Sequence, residues 1–147
     1  MNVEPQIALA FQTTFARAEY SLKGVRPYCS GAEGGDASAN WDRFANDIAT
    51  DLLANVDTQI VRFLVDAPPM KEIVRGGVAV FDPAVLQGTD AQKLLLAVRR
   101  VRNNLFHGGK EHRERYAGHD QELVEAALEV IRIAVGCQHE VRARYYS

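Results

Sequence analysis

The sequence predicts an all-α fold: a four-helix up-and-down bundle, formed by one domain over residues 1–147. The chain length of 147 residues suits a single domain of ordinary size. With 47% hydrophobic and 24% charged residues, the composition is that of a globular protein with its own core. Four long segments repeat apolar residues at helical spacing, and no internal repeat is visible, which together favour a helical bundle.

The first helix is predicted from about residue 5 to 23, with Pro5 in its first turn, where proline is tolerated. Its apolar stripe consists of Ile7, Phe11, Phe15, Ala18 and Leu22. Glycine and proline punctuate residues 24–40, so we expect a surface loop without regular structure there.

The second helix is predicted from an N-cap at Asn40 to about Val65, with Pro68 and Pro69 ending it. Residues 66–88 then form a connection that is long for a compact domain. Within it, two apolar runs flank a turn at 75–77, which leaves a short β-hairpin as an alternative to an irregular loop. We expect this connection to flank the dimer cleft and to help select the substrate.

The third helix is predicted to begin at Thr89 or Asp90 and to end at Phe106 or His107, where Gly108 and Gly109 stop it. The fourth helix is predicted from about residue 120 to 144. Its apolar residues form two adjacent stripes, so we expect burial over a wide arc.

The third predicted helix carries side chains for two different contacts. At 100° per residue, its core-facing stripe consists of Leu94, Val98, Val101 and Leu105. Three further apolar residues lie outside that stripe: Leu95, Leu96 and Phe106. A second apolar side usually marks a contact, and the simplest contact is a two-fold homodimer. Such a dimer would bring two copies of Arg102, Asn103 and His107 together in one cleft.

The segment RNNLFHGGK, residues 102–110, resembles the signature of the HEPN superfamily, in which an arginine and a polar residue precede a histidine at a helix end. Here four residues separate Arg102 from His107. EYSLK at 19–23 and WDRFA at 41–45 are similar to parts of one bacterial branch. The resemblance implies a dimeric helical bundle, a metal-independent endoribonuclease with its active site across the dimer, and a role in toxin–antitoxin pairs or phage defence. It also implies an antitoxin partner of the minimal nucleotidyltransferase type.

The chemistry of these residues suits RNA cleavage. A histidine, with a reference pKa of about 6.5, can move the protons when a 2′-hydroxyl attacks the adjacent phosphorus, so His107 is the candidate general acid–base. Arg102 is the candidate ligand of the scissile phosphate, because a guanidinium offers a fork of donors and stays charged. Asn103 lies one helical turn before His107 and is placed to orient the imidazole or the phosphate.

Several further residues are candidates for substrate binding. Glu19 and Lys23 are four apart, so they form either an exposed ion pair or a support for the site in which Glu19 pairs with Arg102 or Arg99. We expect a solvated basic rim that contacts RNA phosphates, made of Arg99, Arg100 and Lys110. Trp41 is expected to be a core anchor. Surface positions are expected for His112, His119 and His139, which lack metal-ligand spacing.

The net charge of −2 excludes a general nucleic-acid coat protein, for which a strongly basic domain is typical. It conceals an uneven distribution, since residues 1–66 carry a net charge of −4 and residues 93–115 one of +5. We expect a cytoplasmic protein with reduced cysteines and no cofactor, metal or membrane segment.

Two other functions stay open on the sequence alone. The first is a non-catalytic HEPN dimer that binds nucleotide or RNA as a sensor or scaffold. The second is a helical partner-binding protein in which RNNLFH only closes the dimer.

Overall fold

The computed structural model describes residues 3–107 and 119–147, with residues 106 and 107 described by their backbone only. The described residues are mostly helical, which confirms the predicted helical class. The helices are α1 (Pro5–Lys23), α2 (Trp41–Asn55), α3 (Thr58–Val65), α4 (Asp90–His107), α5 (Asp120–Val135) and α6 (His139–Tyr145). The strands are β1 (Cys29–Ser30), β2 (Ser38–Ala39), β3 (Lys71–Arg75) and β4 (Val78–Asp82).

The core lies where α1, α2, α4 and α5 pack against one another. Fully buried side chains come from all four helices: Phe11 and Leu22 of α1, Phe44 and Ile48 of α2, Leu94 and Val98 of α4, and Leu123 and Ile131 of α5. Both predicted stripes of α5 are buried, as its wide apolar arc indicated. No helix within residues 3–107 and 119–147 has the length and apolar character to cross a bilayer.

The second predicted helix is in fact two helices. Asn40 caps α2 as expected, accepting a hydrogen bond from the Arg43 N–H at 3.0 Å. The helix ends at Asn55, and Val56 is extended with ψ of 135°. Asp57 then starts α3 by accepting from the Gln59 N–H at 2.7 Å. The apolar period runs on across this break because Val56 is buried too, which is why the pattern predicted one continuous helix.

Replacing Asp57 with alanine is expected to lower the free energy of unfolding by about 1 kcal/mol, because it removes the side-chain cap of α3. Asp51→Ala, at an exposed position inside α2, is the matched control and should cost less. Urea denaturation of both variants measures the difference. Equal stability of the two variants would contradict the capping role.

The fourth predicted helix is also interrupted. Helix α5 ends at Val135, before Gly136, and α6 begins after Gln138, whose side chain accepts from the Val141 N–H at 2.7 Å. A single helix over 120–144 is therefore wrong, since glycine and a new N-cap separate the two.

The connector at 24–40 has more structure than the sequence predicts. It contains a 3₁₀ turn at Arg26–Tyr28 and the two-residue strands β1 and β2, which pair antiparallel. The buried Tyr28 hydroxyl donates to Asp47 of α2 at 2.7 Å, and burial together with this bond raises the pKa of Tyr28 to about 12. The connector is thereby fixed against α2.

The connection at 66–88 does contain a β-hairpin. Strands β3 and β4 pair antiparallel from Lys71 opposite Asp82 to Arg75 opposite Val78. Gly76 and Gly77 both have positive φ, 61° and 80°, as a tight two-residue hairpin turn requires. Most of the hairpin projects into solvent, so it needs an attachment to the bundle to be stable.

One apolar residue that the sequence placed outside the core belongs to it. Leu95 is 1% exposed, so it does not contribute to an outward apolar face of α4. Helix α4 packs against α1, α2, α3 and α5, so it is buried over a wider arc than the single core stripe predicts. Leu96 is half-buried at the edge of the core, and the side chain of Phe106 lies outside the described residues.

Candidate functional site

An open cavity of about 820 Å³ lies beside α4, which forms its floor. Helix α1 contributes one wall through Glu19 and Lys23, and the connector and the start of α2 close the cavity at one end. The opposite wall comes from the foot of the β-hairpin, through Lys71 and the segment 84–87. The floor side chains are Leu96, Arg99, Arg100, Arg102 and Asn103.

Arg102 is held in place by α1. Its guanidinium carbon lies 4.9 Å from the centre of the Phe15 ring, and its Nη2 lies 3.7 Å from Glu19 Oε2. The two groups form an ion pair, but the distance between them is longer than that of a direct hydrogen bond. Because stacking and charge orient the guanidinium without saturating its donors, Arg102 is arranged to accept an oxyanion from the cavity.

Glu19 lies beside the apolar stripe of α1 and was predicted to pair with an arginine. The carboxylate pairs with Arg102, one of the two arginines expected. Glu19 is therefore the carboxylate that orients Arg102. Lys23, one helical turn further along α1, lines the same cavity.

Arg99 lies on the cavity floor and pairs with Asp42 at the start of α2, with Nη2 3.6 Å from Oδ1. Burial lowers the pKa of Arg99, and the charge of Asp42 opposes that shift. The guanidinium stays protonated at any working pH. Since it is partly removed from water, its attraction for an anion is screened less than that of a surface arginine.

Asn103 is exposed on the floor of the cavity, between the two walls. His107 is the last residue of α4, one helical turn beyond Asn103. The side chain of His107 and the whole of Lys110 lie outside the described residues, as do Gly108, Gly109 and His112.

Arg100 was predicted to belong to a solvated basic rim, and that prediction is wrong. It is 6% exposed, and its guanidinium donates to the carbonyl oxygens of Pro69, Ala84 and Val85. The neighbouring buried Asn104 donates to the Met70 carbonyl at 2.9 Å. Residues 69–70 and 84–85 are the two feet of the β-hairpin, so these two side chains attach the hairpin to α4.

The 66–88 connection forms one wall of this cavity, and the sequence did not single out Lys71. The predicted place of this connection beside a dimer cleft stays a prediction. Lys71, Val85 and Gln87 line the cavity. Arg100 and Asn104 fix the hairpin feet beside the cavity, and no local sequence pattern signals that contact.

Trp41 is 6% exposed and stacks on Phe15 with ring centres 5.2 Å apart. It is therefore the core anchor that the sequence predicts, and it also lines the cavity.

The lining of the cavity is electropositive. Among the described lining residues are five basic side chains and one carboxylate: Lys23, Lys71, Arg99, Arg100 and Arg102 against Glu19. In a chain with a net charge of −2, this is a marked local concentration of positive charge. Such a concave basic surface attracts anions more strongly than the total charge indicates.

Other candidate chemistry does not converge in the described residues. His119 and His139 are exposed and lie away from the cavity. Cys29 and Cys137 are free thiols. Within the parts of the chain that the structure describes, no three His, Cys, Asp or Glu side chains are grouped to hold a metal ion.

Comparisons with protein-family models, with curated proteins and with solved structures find no match to this chain.

Proposed function

We propose that this protein is a metal-independent endoribonuclease of the HEPN type. The observation that carries the proposal is the electropositive cavity on α4. Its described floor brings Arg99, Arg102 and Asn103 onto one concave surface, and Asn103 lies one helical turn before His107. Arginines bind phosphoryl oxygens through their fork of donors, and a histidine at the end of the same helix can supply acid–base chemistry.

In the proposed reaction, the 2′-oxygen of a nucleotide attacks the adjacent phosphorus and the bond from phosphorus to the 5′-oxygen breaks. His107 takes the proton from the 2′-hydroxyl, and a second copy of His107 across a two-fold axis gives a proton to the leaving 5′-oxygen. Arg102 binds the non-bridging oxygens, where negative charge develops. The products are a 2′,3′-cyclic phosphate and a free 5′-hydroxyl.

The mechanism requires a homodimer, which we also propose. Asn103, one helical turn before the end of α4, is exposed, so a second copy that contacts this end of the helix would bring the two motifs together. Light scattering should give twice the mass of the 147-residue chain. A monomer at all accessible concentrations would contradict the shared active site.

The biological setting in the proposal comes from the motif alone. A ribonuclease of this type would act in the cytoplasm as the toxin of a toxin–antitoxin pair or in phage defence, and its antitoxin would be a minimal nucleotidyltransferase.

A non-catalytic RNA- or nucleotide-binding dimer is the second candidate, and one observation favours it. The described part of the cavity supplies cationic donors for a phosphate without any contribution from His107. Binding alone therefore needs no histidine, whereas cleavage does.

The test is to incubate the protein in EDTA with single-stranded RNA in large molar excess. The endoribonuclease proposal predicts several turnovers of cleavage, and it predicts that fully 2′-O-methylated RNA binds but is not cut, because the nucleophile is blocked. Binding without product over hours would support the second candidate. Neither binding nor cleavage would contradict both.

A further inference from the structure

Two lysines on opposite walls of the cavity are not neutralised by any described carboxylate. Arg99 and Arg102 are paired with Asp42 and Glu19, whereas within the described residues neither Lys23 nor Lys71 forms an ion pair. Both lysines are therefore available to an external anion.

The contacts of α4 place these lysines on either side of its exposed surface. At 100° per residue, Arg102, which contacts α1, and Arg100, which holds the hairpin, lie roughly 160° apart around the helix. Arg99 and Asn103 fall between them. Lys23 belongs to the α1 side and Lys71 to the hairpin side, so the two amines flank the floor on which a phosphate would bind.

The position of Lys71 is fixed through its neighbour in the chain. Met70 is 6% exposed, and its carbonyl accepts the hydrogen bond from Asn104. The backbone that enters β3 is thus tied to α4, next to the floor residues. Lys71 projects from a fixed foot of the hairpin, not from its exposed tip.

The charge and size of the cavity exceed what one phosphate needs. Arg99 and Arg102 are three residues apart on one helix, so they can bind one phosphoryl group together, and the two lysines add positive charge on both sides. A volume of about 820 Å³ is near the upper end of the roughly 300–1,000 Å³ usual for small-molecule sites. A polyanion that crosses the cavity from wall to wall complements this arrangement better than a mononucleotide does.

We infer that the cavity binds an extended single-stranded RNA backbone, with Lys23 and Lys71 contacting phosphates on either side of the phosphate bound by Arg102. The identity of this polyanion as RNA rests on the proposed function. The inference makes Lys71 a determinant of substrate length that the catalytic motif does not contain.

The experiment measures binding of a 2′-O-methylated oligonucleotide, which cannot be cleaved, and of a 3′-mononucleotide between about 50 and 200 mM salt. The variants are Lys23→Gln and Lys71→Gln, with Lys93→Gln as control, because Lys93 lies on α4 outside the cavity lining. Each cavity variant should weaken oligonucleotide binding and reduce the slope of log affinity against log salt by about 0.7, the value of one lost single-strand phosphate contact. Mononucleotide binding should not change.

A further variant, Arg102→Ala, distinguishes failure of the extended binding path from failure of the proposed function. If Arg102→Ala weakens binding while the cavity lysine variants match Lys93→Gln, the extended path is wrong and the phosphate site survives. If the lysine variants weaken mononucleotide binding equally, they contact the same phosphate as Arg102, which also overturns the inference. If Arg102→Ala binds as the wild type does, the proposed function fails as well. Circular dichroism confirms that each variant is folded.

Discussion

Replacing His107 with alanine is expected to slow RNA cleavage by about 10²- to 10⁴-fold, the usual contribution of positioned proton transfer. Arg102→Ala is expected to slow it by about 10²- to 10³-fold, because it removes a cation from the developing charge on the phosphoryl oxygens. Initial rates in EDTA measure both effects, and light scattering establishes whether the dimer persists. Loss of activity with an intact dimer assigns these residues to the reaction.

Matched controls separate catalysis from general changes in charge. His139→Ala removes an exposed histidine of α6, and Arg132→Ala removes an exposed arginine of α5, both away from the cavity. Both control variants should cleave at the wild-type rate. Undiminished cleavage by His107→Ala and Arg102→Ala would contradict the site assignment.

The largest effect on stability is expected at Arg100. Replacing it with methionine should lower the free energy of unfolding by about 3 kcal/mol, because the carbonyl oxygens of Pro69, Ala84 and Val85 lose a charged donor in a buried setting. The hairpin should also loosen, so its backbone amides should exchange with solvent faster. Urea denaturation and hydrogen exchange measure the two effects.

Arg75→Met is the control for Arg100→Met. Arg75 is an exposed hairpin residue whose guanidinium lies 3.0 Å from Asp82, and exposed ion pairs contribute about 0–1 kcal/mol. If Arg100→Met cost no more than Arg75→Met, Arg100 would not be the attachment of the hairpin to α4.

Local signals predicted much of the fold. Pro5 in the first turn of α1 and Asn40 as N-cap of α2 have direct counterparts in the structure, because such signals act within a few residues. Gly76 and Gly77 left a hairpin as an alternative to an irregular loop, and in the structure both adopt the positive φ that a tight turn requires.

The breaks within the second and fourth predicted helices were not predicted, because the apolar pattern continues across each of them. Val56 is buried although it is not helical, so the apolar period continues across the break before Asp57. At Gly136 the chain bends and Gln138 caps α6, but the apolar residues on both sides still fit one helix. The spacing of apolar residues indicates which residues are buried. It does not show where a helix ends, because two short helices that pack on the same core bury residues at the same spacing as one long helix.

The roles of the arginines in the candidate site could not be predicted from the sequence pattern either. Arg99, Arg100 and Arg102 look alike in the sequence, but Arg100 donates to the carbonyl oxygens at the hairpin feet, whereas Arg99 and Arg102 pair with carboxylates. Their roles depend on which element packs beside each turn of α4, which is a tertiary fact. The pairing of Glu19 with Arg102 was accessible from the sequence, because a carboxylate beside an apolar stripe needs a basic partner.

The central claim is that Arg102 and His107 act on the RNA backbone through its own 2′-hydroxyl. The measurement that tests it most directly is the chemistry of the product ends after cleavage of RNA in EDTA. We predict 2′,3′-cyclic phosphate or 3′-phosphate on one fragment and a 5′-hydroxyl on the other. Fragments that carry a 5′-phosphate and a 3′-hydroxyl would contradict the mechanism, because water and not the 2′-oxygen would then have attacked the phosphorus.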